Sequence, residues 1–371
     1  MMYRRYMKRP WTYLILMSII IAIGLTLFTR FNAAFYSTPI GEVTKVHHHH
    51  STKTTDEHHN TDIAYSDILD IKVLNTKQKG HVYTVEHRYN ASKSEFQAYH
   101  KGDQVLLHIG KSDASTYIVE KKRDTLITIV SSVFLILLLI VGKNVGLQSI
   151  ASLIGNTIAV LSAILIHHYH AHWNLFLLMA IAVILSTTVT LILVIGWTKR
   201  TVITTLSTLL ATFICIGIAW GVLTVTHSQG IKYETMPFLT SQPQTIFFAS
   251  ILIGTLGAVM DVAITISSGM AEILQRSPHI SVSRWIQAGQ NIGRDIMGTM
   301  TNILLFSYLA GALPMFLIFL KNGNTLTYSI SMNWSLEIAR AITGGIGIAL
   351  TIPITIAFMQ VWHKWKGVHL S

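Results

Sequence analysis

Charge is scarce in this chain. Asp, Glu, Lys and Arg make up 12% of its 371 residues, about half the share usual in a soluble domain, while 51% are hydrophobic. Mean hydropathy is +0.48. Cysteine is nearly absent. Cys215 stands alone inside an apolar run, which excludes an intrachain disulfide and argues against an exposed reactive thiol. Catalytic signatures are missing too: there is no phosphate-cradling glycine loop ending in Gly-Lys-Ser/Thr, no Gly-x-Ser-x-Gly and no His-Glu-x-x-His. Ser267-Ser268-Gly269 has no histidine nearby, so an intramembrane serine protease is not expected, nor any other enzyme, and no cofactor is implied. The formal net charge of +11 does not point to nucleic acid, because the basic residues gather at helix ends without interleaved aromatics.

What the chain has in abundance is long hydrocarbon runs. Residues 11–29 follow a basic start (3–10, YRRYMKRP) and are long enough to span a bilayer. They read as an uncleaved first helix, with a cleaved secretory signal as the alternative, since Phe31-Asn32-Ala33-Ala34 is a poor cleavage site. Further apolar spans fall at about 125–142, 148–166, 174–197, 201–226, 245–272, 297–320 and 338–361, giving about eight transmembrane helices. Residues 30–124 lie between the first two. Their alternating runs Ile40–Val46, Asp67–Leu74, His81–Tyr89, Gln104–Ile109 and Thr116–Glu120 predict a small β-sandwich or barrel of about five strands. Between the first two runs HHHHSTKTTDEHHN reads as a flexible loop too polar to pack. The chain thus divides into a first helix (1–29), a β-rich domain (30–124) and a seven-helix membrane domain (125–371).

Basic residues in short loops orient the chain. Arg4, Arg5, Lys8, Arg9, Lys143, Lys199, Arg200, Arg276, Arg284, Arg294, Lys364 and Lys366 fall on one side, and only Lys232, Lys321 and Arg340 on the other. Twelve against three places both termini in the cytoplasm of a bacterial cell, with residues 30–124 outside the plasma membrane.

One carboxylate stands deep in a span. In Ile251–Glu272, Asp261 lies near the centre, and helical spacing puts it on one face with Gly254, Gly257, Ala258, Thr265, Ser268 and Glu272, opposite the hydrocarbon of Leu252, Val259, Ile266 and Ile273. A charge at that depth costs roughly 2.5 kcal/mol or more, so it should face protein or water. The next span offers Gly298, Thr301 and Asn302, preceded by an amphipathic loop, Ser281–Gln290, and by Arg294 and Asp295; Pro314 should kink it. In the last span Gly344, Gly347, Thr351 and Thr355 share a face. The glycines and hydroxyls admit close helix packing as readily as a transport path. Glu272, Arg294 and Asp295 read either as a gate of ion pairs or as solvated interface charges.

These segments also carry a resemblance. GTLGAVMDVAITISSGMAE, IGRDIMGTMTN and TGGIGIALTIPIT, with KGDQVLLH and RDTL before them, resemble the signature segments of the YibE/F family of bacterial membrane proteins along the whole chain. The resemblance implies a multi-spanning plasma-membrane protein with an extracytoplasmic domain and a permease-like core, and supplies no substrate. Ile303 departs from it, standing where the pattern has threonine.

Histidine is the last excess. Fifteen of eighteen fall on the outer side by this orientation. They include His47, His48, His49, His50, His58 and His59, and the run His167, His168, His170 and His172. Such tracts either bind a transition metal or serve as solvated loops that become cationic in acid.

Two functions follow. One is a gradient-driven permease for a small solute or ion, with Asp261, Thr265, Ser268, Glu272, Arg294, Asp295, Asn302, Gly344, Gly347 and Thr351 along its path. The other is a non-transporting scaffold or sensor whose β domain binds an envelope partner or metal. The bilayer is the expected partner, joined by a second copy or a second membrane subunit.

Overall fold

A computed structural model describes residues 9–93, 96–110, 115–170, 172–236 and 242–365. Arg4, Arg5, Lys8 and Lys366 lie outside the described residues, as does the side chain of His49. Among the described residues eight helices are long and apolar enough to cross a membrane. They are α1 (Arg9–Phe31), α2 (Asp124–Gly142), α3 (Asn144–Tyr169), α4 (Leu175–Ile195), α5 (Lys199–Val225), α6 (Pro243–Arg276), α7 (Val282–Lys321) and α8 (Leu326–Trp365). The chain forms two compact units, residues 1–147 and 148–371.

The first unit holds α1, α2 and one five-stranded antiparallel sheet of order β3-β2-β1-β4-β5. Its strands are β1 (Ile40–Thr55), β2 (Thr61–Val73), β3 (Val82–Asn90), β4 (Gln104–His108) and β5 (Tyr117–Lys121). Edge strands β3 and β5 approach one another without pairing, so the sheet curls towards a barrel and does not form a two-layer sandwich. Period-two alternation on β2 and β3 sends Leu69, Ile71, Val73, Tyr83 and Val85 inward against Val43, Tyr99, Val105 and Leu107. The sheet is tied to the helix ends by a buried amine. Lys122 Nζ lies 2.8 Å from Asp124 Oδ1 and donates to the Thr29 carbonyl. Asn32 Nδ2 and the Tyr36 hydroxyl each donate to Asp124 Oδ2 at 3.1 Å. Burial and this Asp124 contact push the Tyr36 hydroxyl above its ordinary pKa.

The polar histidine tract is not a loop. It continues β1, paired with β2 as far as Thr55↔Thr61. Main-chain hydrogen bonds do not depend on side-chain polarity, and the cross-strand pairs are complementary: His48 Nδ1 stands 2.9 Å from Asp67 Oδ1, and His47 Nε2 3.4 Å from Asp70 Oδ2.

In the second unit α6 is the hub, packed against α4, α5, α7 and α8. Local chemistry sets the helix ends. Asn174 caps α4, its side-chain oxygen accepting from the Phe176 and Leu177 amides, and Gly196, at φ +88°, ends it. Thr198 caps α5 through the Thr201 amide, and Pro243 opens α6, where its missing N–H is harmless. Two expectations change here. Ser281–Gln290 is no separate loop: Ser281 is the N-cap of α7, and the helix runs on unbroken to Lys321. Trp285, fully buried, anchors that stretch by donating from Nε1 to the Met270 carbonyl of α6 at 2.9 Å. Likewise Arg340 is not a loop residue. α8 starts at Leu326 and carries Arg340 inside the bundle.

Candidate functional site

The ten membrane candidates separate into two groups. Gly344, Gly347 and Thr351 are buried between helices. A Cβ on Gly344 would stand 2.8 Å from Leu304 Cδ1 and 3.1 Å from Thr255 Cγ2; one on Gly347 would stand 3.1 Å from both Cys215 Sγ and Val259 Cγ2. A methyl at either crossing would crowd these neighbours, so the glycines favour a close approach of α8 to α5, α6 and α7. Thr351 donates its hydroxyl to its own Gly347 carbonyl at 2.7 Å.

The other group is on an open face. Asp261, Thr265, Glu272, Arg294, Asp295 and Asn302 are exposed and Ser268 is half-buried. Asp261 therefore faces neither an internal path nor a dry helix junction. Thr265 donates its hydroxyl to the Asp261 backbone carbonyl at 2.8 Å, while the carboxylate itself has no hydrogen bond or ion pair among the described residues. Glu272 pairs with Arg276 one turn on, at 2.6 Å, and both are well exposed. Arg294 and Asp295 form no ion pair with it, so the three do not make a closed gate in this structure.

What the bundle encloses instead is a set of hydroxyls. Ser186, Thr187 and Thr190 on α4, Thr201, Thr204, Ser207, Thr208 and Thr212 on α5, Thr255 and Ser267 on α6, and Thr351 and Thr355 on α8 are all buried. Most are satisfied locally. Thr187, Ser207 and Thr255 donate to the carbonyl four residues back, and Thr204 donates to Ser267 Oγ at 2.9 Å. Ser152, on α3, and Thr190 share a hydrogen bond of 2.7 Å. Four of these serine and threonine hydroxyls have no partner among the described residues: Ser186, Thr208, Thr212 and Thr355. Contacts between the helices fix the register. α5 runs antiparallel to α6 through Thr204–Ser267, and α8 parallel to α6 through Gly344–Thr255 and Gly347–Val259. With Cys215 against Gly347, Thr212 comes level with Thr351, and Thr208 with Thr355. The signal was in the sequence: Thr201, Thr204, Thr208 and Thr212 recur at three- and four-residue steps.

A buried ion pair was also missed. On α8, Arg340 and Glu337 are 14% and 19% exposed and pair with each other. Arg340 Nε donates to the Ser250 hydroxyl of α6 at 3.0 Å, and its guanidinium lies 5.5 Å from the centre of the Phe247 ring. Near the N-terminal end of α6 are three cavities. The largest, about 460 Å³, is lined by Asn174, Phe176, Phe213, Trp220, Thr245 and Phe248, among others. A second of about 320 Å³ shares Trp220 and Phe248 with it and adds His227, Tyr233 and Gln244. A third of about 370 Å³ shares Asn174 and Thr245 and adds His167 and His172.

The histidine candidates do not converge. His167 Nδ1 lies 2.9 Å from the Trp173 carbonyl, and the His170 and His172 rings are 6.0 Å apart. His168 stacks edge-on with Tyr169, and His50 is exposed on β1. Among the described residues no three His, Cys, Asp or Glu side chains are grouped as a metal would need. Asp67, 2% exposed, is the organised centre of the sheet. It is opposite His48 on one side and His87 on the other and accepts from the Tyr89 hydroxyl, whose pKa rises through burial and this contact. His87 Nε2 bonds the Gln97 carbonyl at 3.0 Å, and burial pushes its imidazole below the ordinary value, towards the neutral form. A cavity of about 500 Å³ beside His47, His48, Tyr89, Tyr99, His100 and Lys101 opens on this region.

No curated protein and no solved structure matches the chain. Two family models do. The YibE/F family N-terminal domain matches residues 34–121, the sheet with its leading turn, and the YibE/F-like protein model matches residues 130–365, which take in every membrane candidate. The chain belongs to the YibE/F family.

Proposed function

We propose that the helical unit is a gradient-driven permease for a small polar solute or ion. The observation that carries this reading is that four buried serine and threonine hydroxyls of α4, α5 and α8, those of Ser186, Thr208, Thr212 and Thr355, have no partner among the described residues. A buried hydroxyl left unbonded costs about 1–3 kcal/mol, and helical serine and threonine can normally avoid that by bonding their own backbone. Neighbours such as Thr187 and Ser207 do so. Hydroxyls held back from that bond, at matching levels on α5 and α8, are free to replace the hydration shell of a solute in passage. Small residues at Gly344 and Gly347 keep the helices close enough for hydroxyls on two of them to reach one guest. In this reading the chain sits in the bacterial plasma membrane with both termini inside and the sheet outside. The three cavities near the start of α6 form the outer approach.

The test needs no knowledge of the substrate. In a Cys215→Ala background, Thr208→Cys, Thr212→Cys and Thr355→Cys should react in membranes with a small, charged, water-soluble methanethiosulfonate. Leu210→Cys, on the outward face of α5, should not. Thiols at all three positions that resist the reagent from both sides would refute the path.

The scaffold reading keeps one observation, the sheet cavity beside His48 and the buried Asp67. It predicts that deleting residues 35–120 abolishes function while Asp261→Asn is tolerated.

A further inference from the structure

The outward faces of α4, α5 and α8 are largely hydrocarbon, whereas those of α6 and α7 carry a polar group. α4 turns Ile181 and Leu185 outward, α5 turns Leu206 and Leu210, and α8 turns Ile342. On α6 and α7 the outward residues at mid-helix include Asp261, Thr265, Thr299 and Asn302, with Gly257 and Gly298 among them. The polar residues lie side by side. Gly254 against Tyr308 and Gly269 against Ile292 fix the antiparallel register of α6 on α7, and that register brings Asp261 level with Thr301, next to Asn302. A carboxyl group and an amide donor thus stand at one depth on adjacent helices, and neither is bonded by a neighbour among the described residues.

Acyl chains cannot satisfy either group. We infer that this face is covered by a second copy of the chain, paired about a two-fold axis along the membrane normal so that Asp261 of each copy meets Asn302 of the other. Such an axis preserves depth, so a self-complementary patch needs its donor and acceptor at the same level, which is the arrangement α6 and α7 present. Gly257 and Gly298 have open space where a Cβ would be, which allows the two backbones to approach closely.

The inference goes beyond the permease reading, and its test measures no flux. In full-length protein lacking Cys215 (Cys215→Ala), Ile303→Cys, exposed beside Asn302, should form a reducible disulfide-linked species of twice the chain mass when membranes are oxidised. Leu206→Cys on α5 should not. Adding Asn302→Leu to Ile303→Cys should reduce the cross-linked fraction several-fold, and the exchange Asp261→Asn with Asn302→Asp, which keeps one donor and one acceptor, should restore it. The absence of a doubled-mass band at Ile303→Cys, equal cross-linking at Leu206→Cys, or a band of any other mass would overturn the inference. The Ile303→Cys result alone decides the case if the Asn302→Leu protein fails to accumulate.

Discussion

The Arg340 guanidinium on α8 donates to the Ser250 hydroxyl on α6 at 3.0 Å while pairing with Glu337 one turn earlier. Both charges are largely buried, so neither is cheap without the other. Removing one partner of a buried pair costs about 3–5 kcal/mol, whereas replacing both with apolar side chains can be neutral. Arg340→Leu should therefore sharply lower the thermal stability of the detergent-solubilised protein, and Arg340→Leu combined with Glu337→Leu should recover most of the loss. A double variant no more stable than the single one would show that the pair does more than neutralise itself.

His87 makes the sheet sensitive to acid. Because burial depresses its folded-state pKa, the unfolded state takes up a proton first as pH falls. Stability is thus intact above the ordinary imidazole value of about 6.5 and declines below it. Asp103 acts in the same direction at lower pH. Burial alone would raise its pKa, but Lys121 Nζ at 2.8 Å and the His100 amide hold it below the ordinary carboxylate value. The protection factors for hydrogen exchange across residues 82–90, taken relative to the intrinsic exchange rate at each pH, should be lower at pH 5.5 than at pH 7.5, and His87→Gln should flatten that dependence.

Glycines in the bundle should divide by position. Gly293 is packed against Ile352, three of whose side-chain atoms would lie 2.7–3.0 Å from an added Cβ. Gly293→Ala should cost about 1–3 kcal/mol through overpacking. Gly221, with nothing within 4 Å of such a Cβ, should accept alanine with unchanged or raised melting temperature. Thermal melts of the two variants side by side check both statements.

Trp285 should prove a structural anchor. Its ring is fully buried, packs 5.3 Å from the His363 ring and donates to α6. Trp285→Ala should cost about 3–5 kcal/mol, and it should expose residues 282–290 to limited proteolysis ahead of the rest of α7. Protease resistance equal to the unaltered protein would show that this stretch is held by something else.

Much of the architecture was legible in the residues. Eight hydrocarbon runs of bilayer length can only be helices where no water satisfies the backbone, and all eight are present. Alternation in Asp67–Leu74 and His81–Tyr89 foretold β2 and β3. Two polar stretches expected as loops are regular for one reason, that polarity does not prevent regular structure. The tract around His47–His50 extends β1 because strand pairing runs through the main chain, and the polar start of α7 remains helical because Trp285 pins it to α6.

The order of hydrocarbon and charge along the chain was enough to determine helix number, strand alternation and the depth of Asp261, since each depends on local spacing alone. Which way a helix turns its polar side is another matter. Asp261, Gly344 and Thr208 each lie on a polar or small-residue stripe of their own helix, and only the packing of α6 among four neighbours left Asp261 outside while enclosing Gly344 and Thr208. A helix's rotation about its axis is set by the summed contacts of distant segments, and no single stretch of sequence contains that sum.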